Sequence, residues 1–285
     1  MVQRKQIEYR NNSHQIIVQK NQTGFVMKKT QTLISKIVFY FMIVLIGGVL
    51  SSSHAYAQAG NALTFDGTND YVLMPTKAYV SNNIVVGCWI KPNGKTGEQS
   101  LIDHRPVTGG GWQLRIEGAA FPLDLVLVIR SSASIEQKLI ATGAITNATW
   151  QNVTAKFNGT NLKLFKNGTL LTSAASTITF AEANVALVIG ANAVNSGIGS
   201  FPFKGSIDDA RLWNTALTDA EIAGNYNVVI TPSTTGIIGY WKFDEASGTT
   251  SADATSQGNN GTLVNGPVIG SSNVPFLNGS GIFAV

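Results

Sequence analysis

Between residues 61 and 214 short apolar-rich runs alternate with clusters of Gly, Asn, Ser and Thr. Runs at 62–65, 71–74, 84–91, 112–116, 123–129, 150–157, 162–166, 169–172, 186–189 and 203–213 predict strands. Many short strands with turn signals between them, and almost no helical periodicity, predict an all-β sandwich or barrel. The sharpest local pattern is the stretch 162–171, where Leu162 and Leu164 alternate with Lys163 and lead into Asn167-Gly168. Asn-Gly tolerates positive φ and so suits a type I′ hairpin turn. Lys163 and Lys166 then stay in water while the leucines face the core. A second hairpin-like join is Phe157-Asn158-Gly159-Thr160-Asn161.

One helix is predicted. Thr218-Asp219-Ala220-Glu221 fits a capping box, and Ile222 and Tyr226 follow on one face. The run Thr231-Pro232-Ser233-Thr234-Thr235-Gly236 marks an internal boundary. Beyond it come a strand over 237–243, a polar loop over 244–260 and a small strand over 262–264.

The chain opens differently. Residues 37–50 form an unbroken apolar run of 14 residues, preceded by Lys28, Lys29 and Lys36 and followed by Ala55-Tyr56-Ala57. A basic region, an apolar region and a small-x-small site describe a secretory signal peptide of bacterial type, cleaved after Ala57 or Ala59. The run falls short of the roughly 20 residues of a membrane span. The polar stretch before Met27 lengthens the basic region unusually, and Met27 reads as the true start. Three regions result: the extension and signal peptide at 1–57, the main domain at 58–230, and a strand-loop segment at 231–285.

The leader also carries the charge. Residues 1–57 hold a surplus of +6, so a chain of net +4 leaves −2 for the remainder. The basic pI therefore gives no reason to expect a nucleic-acid partner or an anionic membrane surface. The single cysteine, Cys88, lies within an apolar run, which predicts a buried, inert thiol and a fold held by its core alone.

Several segments resemble bacterial laminin-G-like jelly-roll domains of the concanavalin A-like lectin/glucanase superfamily. The stretch 62–72 (ALTFDGTNDYV) is similar to their opening strand and turn, 84–92 (IVVGCWIKP) to their tryptophan-bearing strand, and 149–153 to the strand before the hairpin. The stretch 161–170 is similar to the hairpin, and 205–214 (GSIDDARLWN) to their final strand. The resemblance implies a two-sheet antiparallel jelly roll with a short capping helix. The segment 239–250 (GYWKFDEASGTT) also resembles the family, whose members often carry it ahead of the opening strand. Here it follows, and fold-back onto the same sandwich is expected, because a truncated second module would strand Tyr240, Trp241 and Phe243 without a core.

Candidate chemistry is sparse. Glycan-cleaving relatives place two carboxylates on one strand face, about 5 Å apart for retention and somewhat more for inversion. Glu117, Asp124, Glu136 and Glu182 stand alone, while Asp208 and Asp209 are adjacent and expected on opposite faces. His104 is the only histidine beyond the leader, which excludes a His-based metal cluster. These features predict a protein that is not an enzyme. Calcium is the one cofactor expected. The turn Asp66-Gly67-Thr68-Asn69-Asp70 offers hard oxygens, with Asp208 approaching if the terminal strands are neighbours, and the resemblance implies a structural calcium of this kind. The competing reading is that Asp66, Asn69 and Asp70 simply make a turn.

Trp89, Trp150 and Trp213 sit in apolar strands and are expected in the core. Trp112 follows three glycines near Asp103, His104 and Arg105, and this group is the candidate ligand site on a loop. The reading is a secreted, non-catalytic module that recognises carbohydrate or another cell-surface ligand. Its alternatives are a structural or adhesive protein-interaction module and, third, a glycan-active enzyme.

Overall fold

The computed structural model describes residues 60–192 and 200–276, so the expected leader and its cleavage site lie outside the described residues. In chain order the strands are β1 (Asn61–Asp66), β2 (Tyr71–Lys77), β3 (Ile84–Pro92), β4 (Gln99–His104), β5 (Gly111–Glu117), β6 (Leu123–Arg130), β7 (Glu136–Ile145) and β8 (Gln151–Phe157). They continue with β9 (Asn161–Lys166), β10 (Thr169–Ala175), β11 (Val185–Ile189) and β12 (Lys204–Trp213). Helix α1 (Asp219–Asn225) follows, then β13 (Ile237–Trp241), β14 (Thr250–Ser251), β15 (Gly261–Val264) and β16 (Val268–Ser271).

They form two antiparallel sheets of eight strands each, a jelly-roll sandwich. The first runs β10-β9-β8-β3-β12-β1-β16, with β13 also on β12; the second runs β14-β15-β2-β11-β4-β5-β6-β7. Alternation fixes the faces. Ile84, Val86, Cys88 and Ile90 of β3 and Trp112, Leu114 and Ile116 of β5 enter one core cluster between the sheets. Val85 and Trp89 turn to the outer side of the first sheet, where helix α1 and the residues around Val274 and Phe276 cover them. Trp89 and Trp213 are thus buried outside the inter-sheet core, Trp89 donating its indole N–H to Tyr226 O at 3.1 Å. Burial pushes the Cys88 thiol well above its ordinary range.

Local chemistry produces the predicted turns and cap. Asn167 and Gly168 take φ of 48° and 72°, the pair of positive values a type I′ turn requires. Thr218 Oγ1 accepts from Glu221 N at 3.2 Å, and Glu221 Oε2 accepts from Thr218 N at 2.5 Å, closing the capping box.

The C-terminal segment contributes to both sheets. β13 pairs with β12, β16 with β1, and β15 with β2. β12 therefore changes partner along one edge, facing β1 through Lys204–Ile207 and β13 through Ala210–Trp213. Between them sits a bulge, where Asp208 faces Trp89 and Arg211 faces Gly87 of β3. Three steps on β12 match two on β3, and the extra residue Asp209 has φ of 51°. Bulges of this kind re-aim side chains, and this one sets the candidate site.

Candidate functional site

The two ends of β1 each carry acidic residues, and their surroundings differ. At its C-terminal end, Asp66 Oδ1 accepts from Thr68 N at 2.7 Å and Asn69 N at 3.4 Å, and Asp70 Oδ2 accepts from Asp66 N at 2.9 Å. The Thr68 amide is the main cause holding the Asp66 carboxyl below its usual value, whereas burial raises Asp70. Lys95 Nζ donates to Gly67 O at 2.9 Å and to Pro202 O, and Asn265 Nδ2 donates to Asn69 O at 2.8 Å. One oxygen of each turn carboxylate accepts from the turn's own amides, and the carbonyls of Gly67 and Asn69 are taken by Lys95 and Asn265. Asp208 does not join them: Asp66 faces Lys204 while Leu63 faces Ile207, so Asp208 lies toward the opposite end of β1.

At that N-terminal end lies a cleft of about 90 Å³, lined by Gly60, Asp208, Asp209, Tyr240, Lys242, Asp244 and neighbouring apolar groups. The bulge places Asp208 and Asp209 in the same cleft, correcting the expectation that adjacent residues point to opposite faces. Asp209 is paired with Arg211, both almost fully buried. Asp208 Oδ2 accepts from the Ser272 hydroxyl at 2.5 Å. Burial first, then the neighbouring Asp209 charge, push the Asp208 carboxyl up to about 8. Asp244 Oδ1 accepts from Asn61 N at 3.1 Å, and its other oxygen meets Lys242 Nζ at 3.1 Å. A Cβ on Gly60 would stand 1.6 Å from Asp244 Oδ1, so the absence of a side chain there lets the carboxylate into the cleft.

The donor chemistry fits a hard cation, since Ca²⁺ takes carboxylate and carbonyl oxygens and would relieve the Asp208–Asp209 repulsion. Among the described residues no three acidic, His or Cys side chains are already drawn together as a metal cluster. Asp208 is the carboxylate without an opposite charge, Asp209 being neutralised by Arg211, and an ion would share Asp244 with the half-exposed Lys242.

The second candidate, at one end of the second sheet, departs from its expected form. Trp112 is the second residue of β5, fully buried in the inter-sheet core, and so has no exposed face for a sugar ring. The glycines before it are there for close backbone approach: a Cβ on Gly110 would meet Ala181 O at 2.0 Å, and one on Gly111 would meet His104 O at 2.3 Å. Asp103 and His104 close strand β4, which the sequence reading treated as loop. His104 lies opposite Trp112 and turns inward, with Nε2 at 3.1 Å from Lys77 O and 3.0 Å from Val185 O, and Nδ1 at 3.1 Å from Glu182 Oε1. Asp103 lies opposite Gln113, on the other face. The four expected ligand residues thus fall into two pairs on opposite faces, Asp103 with Arg105 at 2.9 Å and the inward-facing His104 against the Trp112 ring.

Arg105 continues to Glu136 at 3.4 Å, which Arg130 holds at 2.6 Å. Burial draws Glu136 upward, but the Arg130 bond and the Arg130 and Arg105 charges outweigh it and hold the carboxyl low. Arg130 Nη1 also donates to Pro106 O at 3.0 Å, and Gly109 N donates to Ser134 Oγ at 2.6 Å, joining the β4–β5 and β6–β7 loops. Val107 and Ile135 stand at the joined tips, 61% and 57% exposed. Toward the opposite end of the sheet, Arg115 pairs with Glu98 at 2.7 Å and Glu117 at 2.6 Å. Sequence reasoning missed Glu136 and Arg130 in this network, and Gly60, Asp209 and Asp244 in the cleft. The resemblance of 239–250 to a family segment was the one signal available for Asp244.

Residues 66–223 match the family model described as the concanavalin A-like lectin/glucanases superfamily. Among solved structures, a candidate carbohydrate-binding protein from Bacteroides ovatus aligns with a TM-score of 0.61 and 21% identity, over 78% of this chain. The alignment spans 63% of the Bacteroides protein's length. The heptameric SAP-like pentraxin from Limulus polyphemus aligns with a TM-score of 0.56 and 13% identity, over 78% of this chain and 100% of the pentraxin. A search of curated protein sequences finds no match.

Proposed function

This chain belongs to the concanavalin A-like lectin/glucanase superfamily, and from that premise we propose that it is an exported, non-catalytic module that recognises carbohydrate. The observation that carries the non-catalytic part is the state of its carboxylates. Glycoside hydrolysis needs one carboxyl raised to serve as acid, with a second beside the sugar. At the loop-bearing end of the second sheet Glu136 is tied to Arg105 and Arg130, and Asp103 to Arg105, while at the opposite end Glu98 and Glu117 are tied to Arg115. Of the carboxyls raised by burial, Asp103 is fully buried against Arg105, and Asp208 lies beside carboxylates already paired, Asp209 with Arg211 and Asp244 with Lys242.

Recognition is assigned to the joined β4–β5 and β6–β7 loops. Arg130 and Glu136, both partly exposed, supply hydrogen-bond donors and acceptors for hydroxyls, the buried Arg105 holds Glu136 in place, and Val107 and Ile135 supply apolar contact. Fixed polar groups at the end of a rigid sandwich, with two small apolar tips, suit shallow and weak binding. The carbohydrate-binding description of the Bacteroides protein supports this ligand class. Calcium is assigned to the Asp208–Asp244 cleft as a structural ion, in place of the turn at Asp66.

Titration calorimetry of the purified chain against a polysaccharide panel, with reducing-sugar assays on the same mixtures, tests the reading. Binding to at least one glycan, weakened by Glu136→Ala and accompanied by no sugar release, is the expected result. Release of sugar would make the chain an enzyme. Absence of binding to every glycan would favour the protein-interaction reading, for which the exposed Val107 and Ile135 are the supporting observation.

A further inference from the structure

Beneath helix α1, on the outer face of the first sheet, is a small cavity of about 20 Å³ lined by Val85, Gly87, Thr154, Arg211, Trp213 and Asn225, among others. Three of these side chains carry a buried polar atom with no hydrogen-bond partner among the described residues: Arg211 Nε, Trp213 Nε1 and Asn225 Oδ1. Arg211 and Trp213 are two apart on β12 and so share a face, and Asn225 ends the helix packed over them. Elsewhere on Arg211, Nη1 bonds Asn225 O at 2.8 Å, and Nη2 bonds Val228 O at 2.7 Å and Asp209.

Orphaned buried polar atoms are rare, because each loses its hydration without a replacement bond. Three of them around one cavity need a common explanation. The volume exceeds the roughly 10–15 Å³ that one water requires, and buried waters typically make about three hydrogen bonds. The chemistry selects the occupant. Two N–H groups need an acceptor and one carbonyl oxygen needs a donor. An ammonium or metal ion cannot accept from Arg211 and Trp213, and a halide cannot donate to Asn225. We propose that this cavity is a binding site for a single structural water that accepts from Arg211 Nε–H and Trp213 Nε1–H and donates to Asn225 Oδ1.

The water completes the bonding of the guanidinium that neutralises Asp209, and it ties the end of the helix to the sheet. It therefore stands behind the acidic cleft without belonging to it.

The test is a water-selective nuclear Overhauser measurement on the full chain with ¹⁵N-labelled tryptophan, the Trp213 signal being assigned by its loss in Trp213→Phe. The expected result is a cross-peak between the Trp213 indole N–H and water. None is expected from Trp89 or Trp241, whose indoles donate to Tyr226 O and Asn259 O. Persistence of the cross-peak in Thr154→Val excludes relay through that hydroxyl, and its disappearance there overturns the assignment. A crystal structure should show one density peak within about 2.7–3.2 Å of all three atoms. A dry cavity, or an indole N–H bonded directly to a protein group, overturns the proposal.

Discussion

The two ends of β1 hold the same residue types and put them to different uses. The turn after β1 spends its carboxylates on its own backbone amides and takes Lys95 as its cation, so its negative charge is settled within a few residues and one contact. The cleft before β1 gathers Asp208 and Asp209 of β12 and Asp244 beyond β13, two places in the chain, and only Asp209 has a buried counter-charge. The turn is satisfied by local bonding, while the cleft depends on the tertiary fold. Acidic residues are informative about a cation only once their existing partners have been counted.

Breaking the buried pair behind the cleft should have the largest effect. Arg211→Ala leaves Asp209 charged and unpaired in the protein interior, at a cost of about 3–5 kcal/mol. Urea unfolding measures this directly, and a loss under 1 kcal/mol would show that the cleft does not rely on the pair.

The next effect concerns pH and calcium together. The Asp208 carboxyl binds its proton more tightly in the folded chain, so its stabilising contribution is full below the unfolded value near 3.8 and is lost as pH rises through about 8. Without calcium, stability should therefore fall between about pH 5 and 8, by roughly 3 kcal/mol once relaxation of the site is allowed for. Asp208→Asn should flatten that decline and also remove any rise in Tm on adding calcium. The turn variants Asp66→Asn and Asp70→Asn should keep the calcium response. Loss of the response in the turn variants, with retention in Asp208→Asn, would return the ion to the turn.

Legibility in the sequence follows how local each cause is. Asn167-Gly168 and the Thr218/Glu221 box were readable because a few consecutive residues determine the turn and the cap. The bulge at Asp209 was not, because it arises where β12 leaves β1 for β13, strands far apart in sequence. β4 escaped notice because its polar residues Gln99, Ser100 and Asp103 interrupt the apolar pattern that marks a strand. Trp112 was expected to open a strand, and it was grouped with the loop as a ligand residue because three glycines precede it. Two of them are there for the opposite reason, close approach of neighbouring backbones. Of the proposed carbohydrate site, Arg105 was readable, but Glu136 and Arg130 reach it only through the pairing of β6 with β7.

The smallest effect sharpens the comparison at the satisfied end of β1. Lys95 sits between Gly67 O and Pro202 O, and burial lowers its ammonium pKa ahead of the opposing pull from Asp66. If this ammonium stands in for a metal, Lys95→Met should cost about 1 kcal/mol by removing its bonds while keeping an apolar stem. It should also free Gly67 O and create a weak calcium response that the parent turn lacks. Thermal unfolding of Lys95→Met/Asp208→Asn, in which the cleft cannot contribute, isolates that response. A calcium-dependent rise in Tm there, abolished by Asp66→Asn, would show that the turn fails to bind metal because its own lysine is in place. No rise would mean that the amide bonds to Asp66 and Asp70 alone keep the turn closed to cations.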